Sequence, residues 1–114
     1  MEYNFNITWG QRVHVCNMFP TVGTLRDMHI SRVMRNILIE AVEASDLSQN
    51  GITKNELGKY VIPQKNENRP SSITLDEDSL KLFYDFIQDL SQKKQVSIDF
   101  ESIFTSVVNT YEMI

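Results

Sequence analysis

Three times in this chain a threonine is followed three residues later by an acid, just where apolar residues begin to recur at helical spacing: Thr24 and Asp27, Thr53 and Glu56, Thr74 and Glu77. In a capping box the hydroxyl accepts from a first-turn N–H that no helix carbonyl can reach, and the acid sits in the first turn. Each pair therefore predicts a helix start. Spread over 114 residues, three starts commit most of the chain to helices and leave mainly the N-terminal segment for another element.

That segment alternates with a period of two: Tyr3, Phe5, Ile7 and Trp9 share one face, Asn4, Asn6 and Thr8 the other. The pattern is that of a half-buried strand. Gly10-Gln11 fits a two-residue loop with glycine in its first position, which predicts a β-hairpin over 2–18. In that register Trp9 faces Arg12, Ile7 faces His14, Phe5 faces Cys16 and Tyr3 faces Met18. A two-stranded ribbon is marginal alone, so its apolar face is expected on helices of the chain or on a partner, and its edge offers a route to an oligomer.

The first helix is expected over 25–44, with a stripe of Ile30, Val33, Met34, Ile37, Leu38, Ala41 and Val42. Met28 and Ile39 fall on the opposite side, between Arg32 and Arg35, where they could form a contact spot. A short helix over 54–61 is ended by Pro63, and the polar stretch 64–72 reads as a flexible loop. Two further helices, 75–91 and 100–112, carry apolar faces suited to an antiparallel helical pair. The expected fold is α+β and mainly α: one domain over 1–114, an N-terminal hairpin packed on about four helices.

Charge is uneven. Residues 74–114 hold three basic against eight acidic groups and account for the net charge of −4. Such a surface disfavours phosphate backbones at that end. No apolar run approaches the ~20 residues needed to span a bilayer, and no signal-like leader opens the chain, so no membrane is expected and the expected location is the cytoplasm. A lone cysteine, Cys16, agrees with a reducing compartment.

One cysteine and two histidines, His14 and His29, make no zinc pattern, and no phosphate-binding, dinucleotide or nucleophile-elbow motif occurs. No enzyme activity and no cofactor are expected. The segment from Asp46 to Leu57 resembles an EF-hand calcium loop: Asp46, Ser48 and Asn50 stand at its first, third and fifth positions, Gly51 at the sixth, and Glu56 closes it one residue early. Because the closing carboxylate is displaced by that missing residue, these four are weak metal candidates. Gly51 to Leu57 also resembles the first helix of a helix-turn-helix, but the helix after the polar loop opens with Asp76, Glu77 and Asp78, which would repel DNA.

What remains is a small, non-catalytic interaction or regulatory protein that binds another macromolecule, a protein ahead of a nucleic acid. The residues expected to carry binding are Arg12, Met28, Arg32, Arg35 and Ile39. A nucleic-acid-associated factor using the cluster of Arg12, Arg26, Arg32 and Arg35 is the second reading, and a degenerate calcium module the third.

Overall fold

Alternation in the first residues does produce a strand, β1 (Glu2–Thr8), with Phe5 and Ile7 buried, in a computed structural model of residues 1–114. Its partner is not the following segment. β1 pairs antiparallel with β4 (Pro70–Asp76), Phe5 opposite Ile73 and Glu2 opposite Asp76. The hairpin over 2–18 is thus corrected, and so is the flexible loop over 64–72, which holds a 3₁₀ turn (Gln64–Asn66) and the start of β4. Ile73 and Leu75 join Phe5 and Ile7 on the inner face, while Asn4, Asn6, Ser72 and Thr74 face solvent. The Thr74 hydroxyl donates to Asn4 Oδ1 at 2.6 Å across the strands.

Gly10-Gln11 opens a helix, α1 (Trp9–Met18), because Thr8 and Gln11 form a complete capping box. Gln11 N–H donates to Thr8 Oγ1, and Thr8 N–H donates to Gln11 Oε1, both at 3.0 Å. Two more first-turn donors are taken by the chain leading into β4: Trp9 N–H by the Arg69 carbonyl and Gly10 N–H by the Glu67 carbonyl. Glycine is required at position 10 by proximity: a Cβ there would lie 2.8 Å from Glu67 Cβ and 2.9 Å from the Glu67 carbonyl oxygen. As a helix, this segment buries Val13, Val15 and Cys16 and turns His14 outward.

The cap at Thr24 forms as expected and starts α2 (Leu25–Arg35). The helix expected over 25–44 does not continue unbroken. A π turn (Asn36–Glu40) comes next, closed by Ala41 N–H donating to the Asn36 carbonyl, and then a separate α3 (Ala44–Gln49). The helix expected over 54–61 is also corrected. Thr53 caps nothing; β2 (Thr53–Lys54) and β3 (Tyr60–Val61) form a small hairpin. Asn55 Oδ1 accepts from Leu57 and Lys59 N–H, and Gly58 at φ 78 supplies the left-handed turn that a helix cannot contain.

α4 (Glu77–Gln92) starts two residues later than the Thr74 signal, capped by Asp76 Oδ1 accepting from Ser79 N–H at 2.8 Å. α5 (Glu101–Glu112) returns antiparallel to it, with Tyr84 against Tyr111 and Phe83 edge-on to Phe104. Phe19, just after α1, stacks on Phe86 with centroids 4.1 Å apart. The inner face of the β1–β4 sheet rests on α1, α4 and α5, giving one continuous core in a single α+β, mainly helical domain.

Candidate functional site: the outer edge of the first strand

The five residues expected to bind a partner do not share a surface. Ile39 is fully buried, Met28 half-buried, and only Arg32 is exposed. Ile39 turns inward because the π turn adds a residue to the helical path, which rotates the succeeding side chains by about 100°. Arg35 donates to the Cys16 carbonyl at 3.0 Å and lies over the Tyr60 ring. Arg26 pairs with Asp85 at 2.6 Å. Of the expected arginine cluster, Arg12, Arg26 and Arg35 are thus engaged by groups of the chain itself.

Arg12 is buried and has a structural task. A π turn that ends at Glu40 leaves nearby carbonyls without helical donors, and the Arg12 guanidinium takes them: Nε donates to the Leu38 carbonyl at 2.8 Å and Nη2 to that of Ile37 at 3.3 Å. Nη1 donates to Ser71 Oγ at 2.7 Å and to the Ser72 carbonyl at 2.9 Å. The cation thus caps a helix end, where the dipole favours it, and ties it to β4. Burial lowers its pKa from the ordinary arginine value, opposed by the charge of Asp46. Trp9 covers the guanidinium with its ring centroid 4.5 Å from Cζ. The two residues, expected to face each other across a hairpin turn, meet one helical turn apart instead.

The EF-hand resemblance does not survive as a helix–loop–helix. Asp46 and Ser48 lie exposed on α3, Asn50 is buried with Nδ2 donating to the Asp46 carbonyl, and Glu56 sits in the β2–β3 turn with no helix to carry it. No three His, Cys, Asp or Glu side chains gather around a point that could hold a metal ion. His14 Nε2 is 2.9 Å from Glu67 Oε1 in an exposed pair, which joins α1 to the loop before β4. Burial pushes the Cys16 thiol up to about 11, against the opposing charge of Arg35.

The N-terminal ribbon edge expected as a route to an oligomer has a different partner strand, and Asn4 and Asn6, which now line it, were not among the expected binding residues. Trp9 N–H reaches the Arg69 carbonyl in continuation of the β1–β4 register, so the odd-numbered residues of β1 exchange the ladder bonds. The even-numbered ones point their N–H and C=O groups away from β4. Thr8 N–H, outward by this rule, is taken by Gln11. The outer edge of β4 is blunted, since Pro70 stands at its start and Arg12 holds the Ser72 carbonyl.

β1 has no such cover at its middle. Asn4 and Asn6 are exposed, and their backbone N–H and C=O groups meet no donor or acceptor beyond the ladder. No proline, lysine or arginine lies in Glu2–Thr8. The alternation of Asn4 and Asn6 with buried Phe5 and Ile7 was the available signal; which edge would be open depended on a partner strand about 70 residues away. No protein-family model, curated protein or solved structure matches the chain.

Proposed function

We propose that this is a small, non-catalytic interaction or regulatory protein of the cytoplasm, which binds another protein by accepting an extended segment on the outer edge of β1. The observation that carries this reading is the row of unpaired main-chain groups at Asn4 and Asn6, beside a β4 edge that Pro70 and Arg12 occupy. Strand addition draws affinity from main-chain hydrogen bonds and specificity from alternate side chains. Tyr3, half-buried beside Phe5 and Ile7, would extend the apolar face under an added strand. A buried thiol held protonated agrees with a reducing compartment.

Asn6→Pro tests the reading. Its N–H points away from β4, so proline removes an outward donor and leaves the β1–β4 ladder intact. Wild-type protein on a solid support should retain a protein from extract of the native host that folded Asn6→Pro does not. Equal retention by the two, at matched circular dichroism, would refute edge docking. Retention of nucleic acid that falls steeply with salt and is lost in Arg32→Glu would favour the second reading.

A further inference from the structure

We infer that the strand which docks on β1 is β1 of a second copy, in an antiparallel register centred on Phe5; this rests on the edge reading above. The sequence of β1, Glu2-Tyr3-Asn4-Phe5-Asn6-Ile7-Thr8, is nearly symmetric about its middle residue. In the two-fold arrangement Phe5 faces its own copy, Asn4 faces Asn6, Tyr3 faces Ile7, and Glu2 faces Thr8. The outward groups belong to the even-numbered residues, so Asn4 of one copy and Asn6 of the other exchange both main-chain bonds, twice by symmetry.

Three features select this register. A pairing centred on Asn6 would set Thr8 against Asn4 inside the ladder and need Thr8 N–H, which Gln11 already holds; centred on Phe5, Thr8 meets only Glu2 in the terminal pair, and the Asn4–Asn6 bonds do not use it. A pairing centred on Asn4 would set Tyr3 and Phe5 together and leave Ile7 opposite Met1, which is 93% exposed and outside the strand. The register centred on Phe5 instead aligns the two apolar faces, brings the exposed Asn4 and Asn6 amides into cross-strand pairs, and opposes no like charges, since Glu2 is the only charged residue of β1. The product is one four-stranded sheet, β4–β1–β1–β4, with the blunted β4 edges outermost. It closes on itself and does not propagate.

Two Cys variants read the register. Asn4→Cys and Asn6→Cys, each oxidised alone, place the new thiols on diagonal positions about 7–8 Å apart, beyond disulfide reach. Mixed, they oppose one another directly. The expected result is a covalent dimer in the mixture and none in either variant alone, with Cys16 buried and uninvolved. Sedimentation of the wild type should shift from monomer to dimer with rising concentration, and Asn6→Pro should stay monomeric.

Cross-linking of Asn4→Cys by itself would overturn the register. A wild type that stays monomeric to millimolar concentration, while still retaining an extract protein that Asn6→Pro loses, would overturn self-pairing and leave the edge reading standing. Monomeric behaviour together with equal retention would remove both.

Discussion

Replacing Arg12 by methionine separates a buried cap from a binding residue. The substitution keeps much of the apolar stem and deletes four donated hydrogen bonds. The Leu38 carbonyl, whose bond is fully buried, is left unsatisfied at about 1–3 kcal/mol. The Ile37 bond is long at 3.3 Å, and the partly buried Ser71 and Ser72 acceptors can be reached by water, so these three together add about 1–2 kcal/mol. Against this stands relief of the cation's desolvation, the effect that lowers its pKa.

The net loss is about 3 kcal/mol, and with an unfolding entropy of about 2.1 cal/mol/K per residue this lowers Tm by roughly 12 °C. Arg12→Lys keeps the charge but loses the planar fork, and should fall between the two. Thermal and denaturant unfolding by circular dichroism read both variants. A methionine variant within about 0.5 kcal/mol of wild type, or a lysine variant equal to it, would refute the capping argument and return Arg12 to the surface as a contact residue.

Four other outcomes are expected. Gly10→Ala should destabilise by about 1–3 kcal/mol despite alanine's better helix propensity, because the new methyl group strikes the Glu67 backbone; a neutral or raised denaturation midpoint would contradict that contact. Cys16, held near 11 and buried, should react with thiol reagents at neutral pH only as fast as the protein opens. Because its folded pKa is raised above the ordinary 9.0, the Cys16 contribution to stability should be complete below pH 9 and fade as pH climbs toward 11, a slope that Cys16→Ser removes. Calcium should give no saturable heat in the micromolar range, and saturable heat abolished by Glu56→Gln would reverse the assignment of Glu56 to a hairpin turn.

The capping rule shows how much of this fold was legible. Thr24 obeyed it fully. Thr74 marked a real helix but lost the cap to Asp76, because Thr74 itself lies inside β4. Thr53 failed because Asn55 and Gly58 specify a tight turn that outweighs one hydroxyl. Thr8 carries the same signal, because glutamine serves at the third helical position as well as glutamate does. With Gln11 as its third helical residue, Thr8 specifies strand then helix in place of a hairpin over 2–18. The partner strand was harder to foresee: Ile73 and Leu75 alternate over too few residues to stand out from a polar stretch, and pairing across some 70 residues leaves no local mark.

Arg12 and Asn6 illustrate why the roles of single side chains are harder to read than elements. A charged side chain shortly after a strand looks like surface, and an asparagine on a strand's polar face looks inert. The first impression reverses once the π turn is in place, and the pairing with β4 leaves Asn6 on an unpaired edge. The π turn opened carbonyls that drew Arg12 inward, and in doing so it placed a guanidinium on the Ser72 carbonyl and blunted β4. The same event makes the sheet asymmetric. With one edge capped by a helix-derived cation and the other bare, any strand that joins this sheet is directed to Asn4 and Asn6, so the π turn after α2 and the candidate docking edge are linked through one buried arginine.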